Sequence, residues 1–390
     1  MRETRPRNRS RRLHLYLLAA TVLAGALAYG RTRAAPDLAP LIGEVFPDVA
    51  AIQLRAGVHH VYDAGGELLG WAGTGSAKGY GGPMVLLVGI DTVGAVAGLR
   101  VVEQRETPIF WRLARASEFL RAVTGSRFDE IDYDYENVVA VTGATVSSTA
   151  IVESVRASIA AVAGLAFDVR LPLPRKPFEF GLLEIVILGL FAVGVSSHRV
   201  RGPWRRRLRW GCQIVGLIVL GFWKDSPITL AKITAFLSGF FPDFRTGIAI
   251  YLLLAGFLIT SVLYGRNLYC LYACPFGAAQ RVVGAIGGRR LKLPNWSVRL
   301  MEGLRDTIVF VALFLAFLTL QPALASYEPF AVLFSMHGTT LQWILLFIVL
   351  VTSLVIHTPW CAFCCPMRTF EVVIEDTKRW VRGRRGRSGP

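Results

Sequence analysis

The chain has 390 residues, of which 53% are hydrophobic and only 18% are charged, and its mean hydropathy is +0.46. This composition is too apolar for a soluble protein of this length and predicts an integral membrane protein. Lys and Arg outnumber the acids by 43 to 27, giving a net charge of +16. Because most of these basic residues lie in four blocks beside apolar stretches, the charge indicates membrane orientation rather than nucleic-acid binding. The six cysteines are not arranged like a secreted disulfide framework.

The apolar segments predict about six membrane spans, each near the ~20 residues needed to cross the hydrocarbon core. The first, residues 13–30, is interpreted as a retained anchor, although a cleaved signal peptide has a similar pattern. The other five lie at residues 180–197, 210–223, 247–264, 307–324 and 341–357. Because basic blocks favour the cytoplasmic side, both termini are expected in the cytoplasm of a bacterium and residues 31–179 in the periplasm.

The predicted architecture is a multi-pass α-helical protein of the bacterial inner membrane with an inserted extracytoplasmic α+β domain. Its parts are an anchor, a periplasmic domain, a five-helix membrane domain and a basic cytoplasmic tail, at residues 1–30, 31–179, 180–367 and 368–390.

Within the periplasmic domain, hydrophobic patterns predict strands at residues 84–90 and 98–106 and helices at 110–123 and 146–163. Glycine-rich segments are interpreted as turns, at residues 65–66, 73–75 and 79–83.

The sequence VTGATVSS at residues 141–148 opens the second of these helices. Gly143 and Ala144 leave room for close approach of the backbone. The hydroxyls around them lie where a helix exposes unpaired N–H groups and the positive end of its dipole. The pattern is typical of a phosphate site, but on these local residues alone helix capping through Thr142, Thr145 or Ser147 is the favoured explanation, because Ser and Thr are frequent N-caps.

The TGAT motif and two upstream segments, GYGGP at 79–83 and Glu106-Thr107-Pro108, resemble the FMN-binding domain of NosR/NirI proteins and of the C and G subunits of Nqr and Rnf complexes. The resemblance implies that a flavin transferase esterifies Thr145 to the FMN phosphate, within a motif completed by Thr142, Gly143, Ala144 and Ser147. It also implies that Glu106 and Thr107 lie near the isoalloxazine ring, and that the flavin edge meets Gly79, Tyr80, Gly81 and Gly82. Family members have Asp where this chain has Val139, a departure that bears on recognition by the transferase.

A C-x3-C-P pattern occurs twice, at Cys270 and Cys274 and again at Cys361 and Cys365. A spacing of four places both thiols of a pair on one helix face, and the proline is expected to end or bend the helix just past the second thiol. Thiolates bind iron–sulfur clusters or zinc, and inert buried thiols are the third interpretation. Cys364 is an additional thiol that could replace Cys361 or Cys365 as a ligand.

The repeated cysteine pattern also resembles NosR/NirI proteins, in which two such motifs lie at the cytoplasmic face. Longer members add a cytoplasmic ferredoxin domain. The cysteine runs of that ferredoxin domain are not found in this sequence, which therefore resembles the short form found beside reductive dehalogenases.

Other polar and sulfur-containing side chains are interpreted as structural. Cys212 is expected to be a small buried hydrophobe. His198 and His357 are interpreted as interfacial residues rather than haem ligands. Asp225 and Glu328 are interpreted as solvated loop charges rather than as contacts for a quinone or a protein partner.

Together, these features predict a membrane electron-transfer flavoprotein, an oxidoreductase-type component rather than a stand-alone catalyst. Covalent FMN would pass electrons between a periplasmic acceptor and either the quinone pool or a cysteine-bound centre on the cytoplasmic side. The expected partners are a periplasmic reductase or its maturation factors, a flavin transferase, quinone and membrane lipid. Two alternatives are a flavin-based redox sensor or maturation factor and a structural assembly factor. No feature places a carrier in the middle of the ~30 Å hydrocarbon core.

Overall fold

The computed structural model describes residues 9–32, 36–79, 81–115, 118–133, 145–171, 178–197, 199–265, 267–287, 291 and 293–385. The chain divides into two units. Unit 1 comprises Met1–Arg31, Phe178–Thr234 and Phe244–Pro390, and unit 2 comprises Thr32–Pro177 and Ala235–Asp243.

The described strands are β1 (Ala51–Arg55), β2 (Val58–Tyr62), β3 (Leu68–Lys78), β4 (Pro83–Asp91) and β5 (Val96–Glu103). The described α-helices are α1 (Arg9–Arg31), α2 (Ala39–Val45), α3 (Pro108–Arg115), α4 (Glu118–Val123), α5 (Thr145–Ala166), α6 (Leu182–Ser196), α7 (Pro203–Gly216), α8 (Leu230–Leu237), α9 (Ile248–Tyr264), α10 (Pro275–Ile286), α11 (Asn295–Thr319), α12 (Phe330–Phe334), α13 (Thr340–Ser353), α14 (Pro359–Phe363) and α15 (Pro366–Arg385). Two π-helical turns, Leu217–Trp223 and Tyr269–Ala273, and one 3-10 turn, Pro322–Ala325, complete the described elements.

Unit 2 is built on an antiparallel sheet in the order β1-β2-β3-β4-β5, so each strand pairs with its neighbours in sequence. The strand β4 is apolar along almost its whole length because both of its faces are covered. Leu87 packs with α2 on one face. On the other face, the hydroxyl of Ser158 in α5 donates a hydrogen bond of 2.8 Å to the carbonyl of Leu86. The uninterrupted run MVLLVGI follows from this burial on both faces.

The strands and helices predicted for this unit are confirmed in type, with shifted ends. The strands predicted at residues 84–90 and 98–106 are β4 and β5, and β5 ends at Glu103. The helix predicted at residues 146–163 is α5. The single helix predicted at residues 110–123 corresponds to two described helices, α3 and α4.

The turn predicted at residues 73–75 is wrong, because these residues lie inside β3. A Cβ at Gly75 would overlap the backbone of Ser154 and Ser158 in α5, and one at Gly73 would lie 2.9 Å from the Ser158 carbonyl oxygen. Small residues are therefore required by close packing of a helix on a strand, rather than by a change of chain direction.

Unit 1 consists of helices and short helical turns around two apolar cores. The larger core contains buried side chains from α6, α9 and α13 together with the aromatic residues Tyr269, Tyr272, Phe276 and Trp360. The smaller core joins α1 to α11 through Ala26, Val309, Leu313, Ala316 and Phe317.

Helix α1 is tied to other helices of unit 1 by polar contacts as well as by this smaller core. The Tyr16 hydroxyl donates a hydrogen bond of 3.1 Å to Asp376 of α15, and Arg12 forms an ion pair of 3.3 Å with the same carboxylate. A Cβ at Gly30 would overlap the carbonyl oxygen of Phe317 in α11.

Among the described residues, two helices are long and apolar enough to cross a membrane, Arg12–Arg31 and Val146–Ala166. The second is half buried and packs on the sheet of unit 2, as a core helix does. Shorter apolar helices occur at Leu182–Ser196, Ile248–Tyr264 and Thr340–Ser353, within or close to the predicted spans 180–197, 247–264 and 341–357.

Candidate functional sites

A buried carboxylate organises the candidate site in unit 2. Glu106 follows the end of β5 and is only 2% exposed. Its Oε2 accepts a hydrogen bond of 2.7 Å from the Ser147 hydroxyl, and its Oε1 accepts one of 3.2 Å from the backbone N–H of Gly81. Glu106 therefore joins the first turn of α5 to the glycine loop, residues 79–82.

The glycine loop lies so close to Glu106 that a larger residue would collide with it. A Cβ at Gly79 would overlap the Glu106 carboxylate, and one at Gly81 would overlap the backbone of Arg105. The loop is closed by a hydrogen bond of 2.9 Å from the Gly79 N–H to the Gly82 carbonyl. Thr107 is next to Glu106, and its carbonyl accepts a hydrogen bond of 3.0 Å from the Trp111 N–H.

The start of α5 offers groups that suit a phosphate. The helix begins at Thr145, where the first N–H groups of a helix have no partner within it. The Ser148 hydroxyl, in the first turn, is buried and has no hydrogen-bond partner among the described residues. These donors suit an FMN phosphate. Several predicted residues lie outside the described part of the chain, namely Tyr80, Val139, Thr142, Gly143, Ala144 and the side chain of Thr145.

Sequence patterns did not predict the surroundings of Arg105. This residue forms an ion pair with Glu103, and its guanidinium carbon lies 4.4 Å from the centre of the Phe240 ring. Phe240 belongs to Ala235–Asp243, which groups with unit 2 although it is distant in sequence. No local pattern connects these two residues.

The two cysteine motifs meet in unit 1. The position that a Cβ at Gly277 would occupy lies 3.6 Å from the Cys361 sulfur and 3.7 Å from the Cys274 sulfur. Cys270 is close enough to Cys274, Cys365 and Cys361 for their charges to interact. One thiol cluster, Cys270, Cys274, Cys361 and Cys365, thus includes both motifs.

The local geometry of these motifs differs from the prediction of two thiols on one helix face. Cys270 lies in a π-helical turn, while Cys274 is extended and precedes the first residue of α10, Pro275. Likewise, Cys361 lies in the short α14, and Cys365 directly precedes α15, which begins at Pro366. The prolines therefore open the following helices, because proline is well suited to the first helical position.

N–H groups surround the sulfur atoms of the thiol cluster. The side-chain amides of Asn267 and Gln280 donate hydrogen bonds to Cys270 at 3.1 Å and to Cys361 at 3.2 Å. The backbone N–H of Gly277 donates to Cys274 at 3.4 Å. Such donors favour thiolates and are common around cluster-bound sulfur.

The thiol cluster also fits a metal centre in its chemistry. Burial and the neighbouring Cys274 raise the pKa of Cys361 to about 12, so a cationic centre must displace protons when it binds. Within the described residues, no three His, Cys, Asp or Glu side chains already form a metal-binding group. Four thiols, of which Cys365 is buried and the other three are partly buried, are a suitable donor set for iron–sulfur chemistry.

A buried arginine positions the second motif. Arg305 of α11 is 3% exposed and donates a hydrogen bond of 3.2 Å to the carbonyl of Ala362. It also contacts Asp306 and Thr369 at 3.0 and 3.1 Å. Its positive charge lies near Cys364.

The interpretation of Asp225 and Glu328 as solvated charges is wrong. Glu328 is 2% exposed, and its Oε1 accepts a hydrogen bond of 2.6 Å from the Leu230 N–H. Asp225 accepts a hydrogen bond from the Ser335 hydroxyl. The Lys232 side chain lies near both carboxylates, and its ammonium donates 3.0 Å to the carbonyl of Pro227. Tertiary packing, which loop composition does not reveal, brings the buried Glu328 together with the half-buried Asp225 and Lys232. Of the two histidines interpreted as interfacial, His198 lies outside the described residues.

Two regions match known domain families. Residues 79–160 match the FMN-binding domain, and residues 246–294 and 339–388 match the 4Fe-4S binding domain. The first match includes the glycine loop, Glu106 and the start of α5. The second includes both C-x3-C-P motifs. The class is therefore a flavoprotein that also has a 4Fe-4S binding domain.

Similar proteins narrow this class. The chain is 26% identical to protein NirI of Paracoccus denitrificans over 196 residues, which are 47% of this chain and 29% of NirI. It is 26% identical to the regulatory protein NosR of Pseudomonas aeruginosa over 209 residues, 50% of this chain and 29% of NosR. YccM of Escherichia coli, whose name describes a candidate electron transport protein, is 28% identical over 131 residues, 30% of this chain and 36% of YccM. The chain is thus similar to NosR/NirI proteins and has an FMN-binding domain match, and the similarity spans less than a third of NirI and NosR.

Proposed function

We propose that this protein is a membrane-bound electron-transfer component that carries electrons between FMN and a cysteine-bound iron–sulfur centre. The observation that supports this most directly is the presence of two redox-type sites in one chain. One is the Glu106 site within the FMN-binding match, and the other is the thiol cluster within the 4Fe-4S match. When bound, these groups supply the electron chemistry, and the protein sets their position and surroundings.

In the flavin site, we assign covalent attachment to Thr145 and phosphate binding to the first turn of α5. Glu106 would hold the glycine loop and Ser147 in place while Thr107 and residues 79–82 line the flavin. The support is the hydrogen bonding of Glu106 and the buried Ser148 hydroxyl, which has no partner in the described part of the chain. The motif residues Thr142, Gly143 and Ala144 complete this assignment.

In the cysteine site, we assign Cys270, Cys274, Cys361 and Cys365 as the ligands. Charge interactions connect Cys270 with the other three thiols. Cys364 is the weaker candidate, because the charged group that affects it is Arg305 rather than any of these four thiols. Replacing Cys364 by Ser should therefore leave iron content unchanged.

Membrane insertion is supported by apolar side chains on the outside of unit 1. Soluble proteins seldom expose contiguous apolar surface of this extent, whereas hydrocarbon solvates it. The side chains are at least 46% exposed and include Leu182, Ile185 and Leu188 on α6, Leu258, Ile259 and Val262 on α9, and Phe347 and Ile348 on α13. With the positive-inside pattern, we place the protein in the bacterial inner membrane, with the FMN domain in the periplasm and both termini in the cytoplasm.

The proposed partners follow from this orientation. A flavin transferase would attach FMN, and a periplasmic reductase or its maturation factors would exchange electrons with it. Quinone or the cytoplasm-side cysteine centre would serve as the other redox partner.

The proposal is tested with the full-length protein in sealed vesicles, supplied with a quinol on one side and a flavin-accessible acceptor on the other. The wild type should show quinol-dependent reduction of flavin. The double variant Cys270→Ser with Cys274→Ser should keep its flavin but lose this reduction. Unchanged flavin reduction in the double variant would reject the cysteine centre as part of the route.

Covalent attachment has a separate test. After coexpression with a flavin transferase, a denaturing gel should show a fluorescent band for the wild type and none for Thr145→Ala. A fluorescent Thr145→Ala band would place the bond elsewhere. Flavin released from the wild type on denaturation would indicate non-covalent binding.

A redox sensor is the second candidate function, favoured by the name of one relative, the regulatory protein NosR. In that case, the flavin state would alter contacts with a partner without sustained electron flow. Repeated turnover with a periplasmic acceptor supports transfer, whereas a single reduction per protein supports sensing.

A further inference from the structure

Gln280 is a fully buried carboxamide that connects the two cysteine motifs. It lies on α10, after the first motif, yet both of its polar ends reach the second. Its Oε1 accepts a hydrogen bond of 3.0 Å from the Trp360 N–H, and its Nε2 donates 3.2 Å to the Cys361 sulfur. Nε2 also lies 3.4 Å from the carbonyl oxygen of Phe276.

Asn267 repeats this arrangement at the first motif. It is 2% exposed, its Oδ1 accepts a hydrogen bond of 3.1 Å from the Cys270 N–H, and its Nδ2 donates 3.1 Å to the Cys270 sulfur. In both residues, a backbone N–H can be satisfied only by the amide oxygen. The amide NH₂ group at the other end must then face sulfur. The backbone N–H therefore orients the side chain so that it donates a hydrogen bond to the sulfur.

We propose that Gln280 and Asn267 are redox-positioning residues that raise the reduction potential of the cysteine-bound centre. The inference rests on the proposed function, because it requires an iron–sulfur centre at these thiols. Reduction places additional negative charge on the cluster and its sulfur ligands, and an N–H donor stabilises the reduced form more than the oxidised form. The two amides are neutral, so they provide this stabilisation without adding a buried charge.

The experiment is an anaerobic redox titration of the full-length protein, followed by electron paramagnetic resonance, with iron and sulfide content measured in every sample. The test variants are Gln280→Met and Asn267→Leu, and neither replacement has a hydrogen-bond donor. Methionine keeps an unbranched side chain of similar length but has no N–H donor. The matched control is Gln213→Met, because Gln213 is likewise buried, at 2% exposed, but donates a hydrogen bond of 2.8 Å to the Leu271 carbonyl instead of to sulfur.

Loss of one N–H···S hydrogen bond should change the ratio of reduced to oxidised centre about tenfold at a fixed ambient potential. For a one-electron couple this corresponds to a decrease of about 59 mV in midpoint potential. Both test variants should show the decrease, and Gln213→Met should match the wild type. Wild-type potentials in both test variants, or an equal decrease in the control, would overturn the inference.

A measurement on the wild type covers the case in which a variant loses its iron. Protein labelled with ¹⁵N in glutamine and asparagine side chains should show hyperfine coupling of those nitrogens to the reduced centre in pulsed electron paramagnetic resonance. Absence of coupling in an iron-loaded wild type would refute the hydrogen bonds. Absence of iron and sulfide in the wild type would instead refute the proposed cysteine centre itself, so the two failures are distinguishable.

Discussion

At the scale of single residues, buried polar side chains connect parts of the chain that are far apart in sequence. Glu106 joins the glycine loop to the start of α5, and Glu328 joins its loop to the start of α8. Removal of a buried group of this kind is costly, because each of its partners then loses a hydrogen bond in a buried site. These residues should therefore affect stability as well as function.

Glu106→Ala tests the first of these connections. The change leaves the Ser147 hydroxyl and the Gly81 N–H without their partner, and the expected loss of stability is about 1–3 kcal/mol. The thermal unfolding temperature and the flavin-to-protein absorbance ratio should both decrease. Glu106→Gln, which keeps an acceptor oxygen, should lose less. A Glu106→Ala protein with wild-type melting and flavin content would contradict the role given to this carboxylate.

Glu328 gives a prediction about pH, since burial raises its pKa to about 7. The folded protein then binds a proton more tightly than the unfolded chain, so stability falls as pH rises from about 4.5 to about 7. Lys232 interacts with this carboxylate and also with the carboxylate of Asp225. Burial lowers the pKa of Lys232 to about 8 and raises the pKa of Asp225.

Melting temperatures across pH 5 to 7.5 test this prediction. The wild type should lose stability on the order of 3 kcal/mol at most over this window. Glu328→Gln should flatten the profile, because it has no proton to lose. The exposed Glu302→Gln serves as the control and should keep the wild-type slope. Parallel profiles for the wild type and Glu328→Gln would count against the predicted titration.

At the scale of elements, the packing of α5 on the sheet determines where the N-terminus of α5 lies in the flavin site. The hydroxyls of Ser154 and Ser158 donate to the carbonyls of Met84 and Leu86 at 3.0 and 2.8 Å. These bonds and the glycines of β3 bring the helix unusually near the sheet. The position of the α5 N-terminus therefore depends on the whole helix–sheet contact.

Gly75→Ala tests this contact. Its Cβ would collide with the backbone of α5, which cannot move as a flexible side chain can, so we expect a loss of about 1–3 kcal/mol or more. Gly164→Ala, on the same helix, is the matched control because nothing lies within 4 Å of its Cβ. The control should be neutral or gain up to about 1 kcal/mol. Denaturant unfolding of both variants measures the difference, and equal stabilities would contradict the packing argument.

At the scale of the whole molecule, the two candidate sites belong to different units of the chain. The residues that hold FMN in our proposal all lie in unit 2, and the four proposed cysteine ligands all lie in unit 1. Neither site borrows a named ligand from the other unit. Loss of one cofactor should therefore not require loss of the other.

Measurement of flavin and iron content in two variants tests whether the two sites are independent. Cys361→Ser with Cys365→Ser should lose iron and sulfide and retain the wild-type amount of flavin. Thr145→Ala should lose covalent flavin and retain iron. Quantification of both cofactors in each purified variant is the measurement. Loss of both cofactors from either variant would indicate that the two sites are built interdependently.

The parts of the fold and sites that local sequence predicted are those governed by local chemistry. The apolar runs predicted β4 and α5. The motifs TGAT and C-x3-C-P lie within the regions that match the FMN-binding and 4Fe-4S binding domains. The strands β1, β2 and β3 were not predicted. In β3, the glycines required by α5 resemble turn residues in the sequence.

Composition and motif spacing by themselves determined the apolar character of the chain, the α+β unit, the flavin motif and the candidate thiols, because these properties are written in neighbouring residues. Only the tertiary structure decided that Glu106 meets Ser147, that Glu328 is buried beside Lys232, and that Gln280 reaches Cys361. Each of these contacts joins residues distant in sequence. The energies of these contacts depend on burial and on hydrogen-bond direction. Both are set only when the chain packs and water is excluded from the contacting groups.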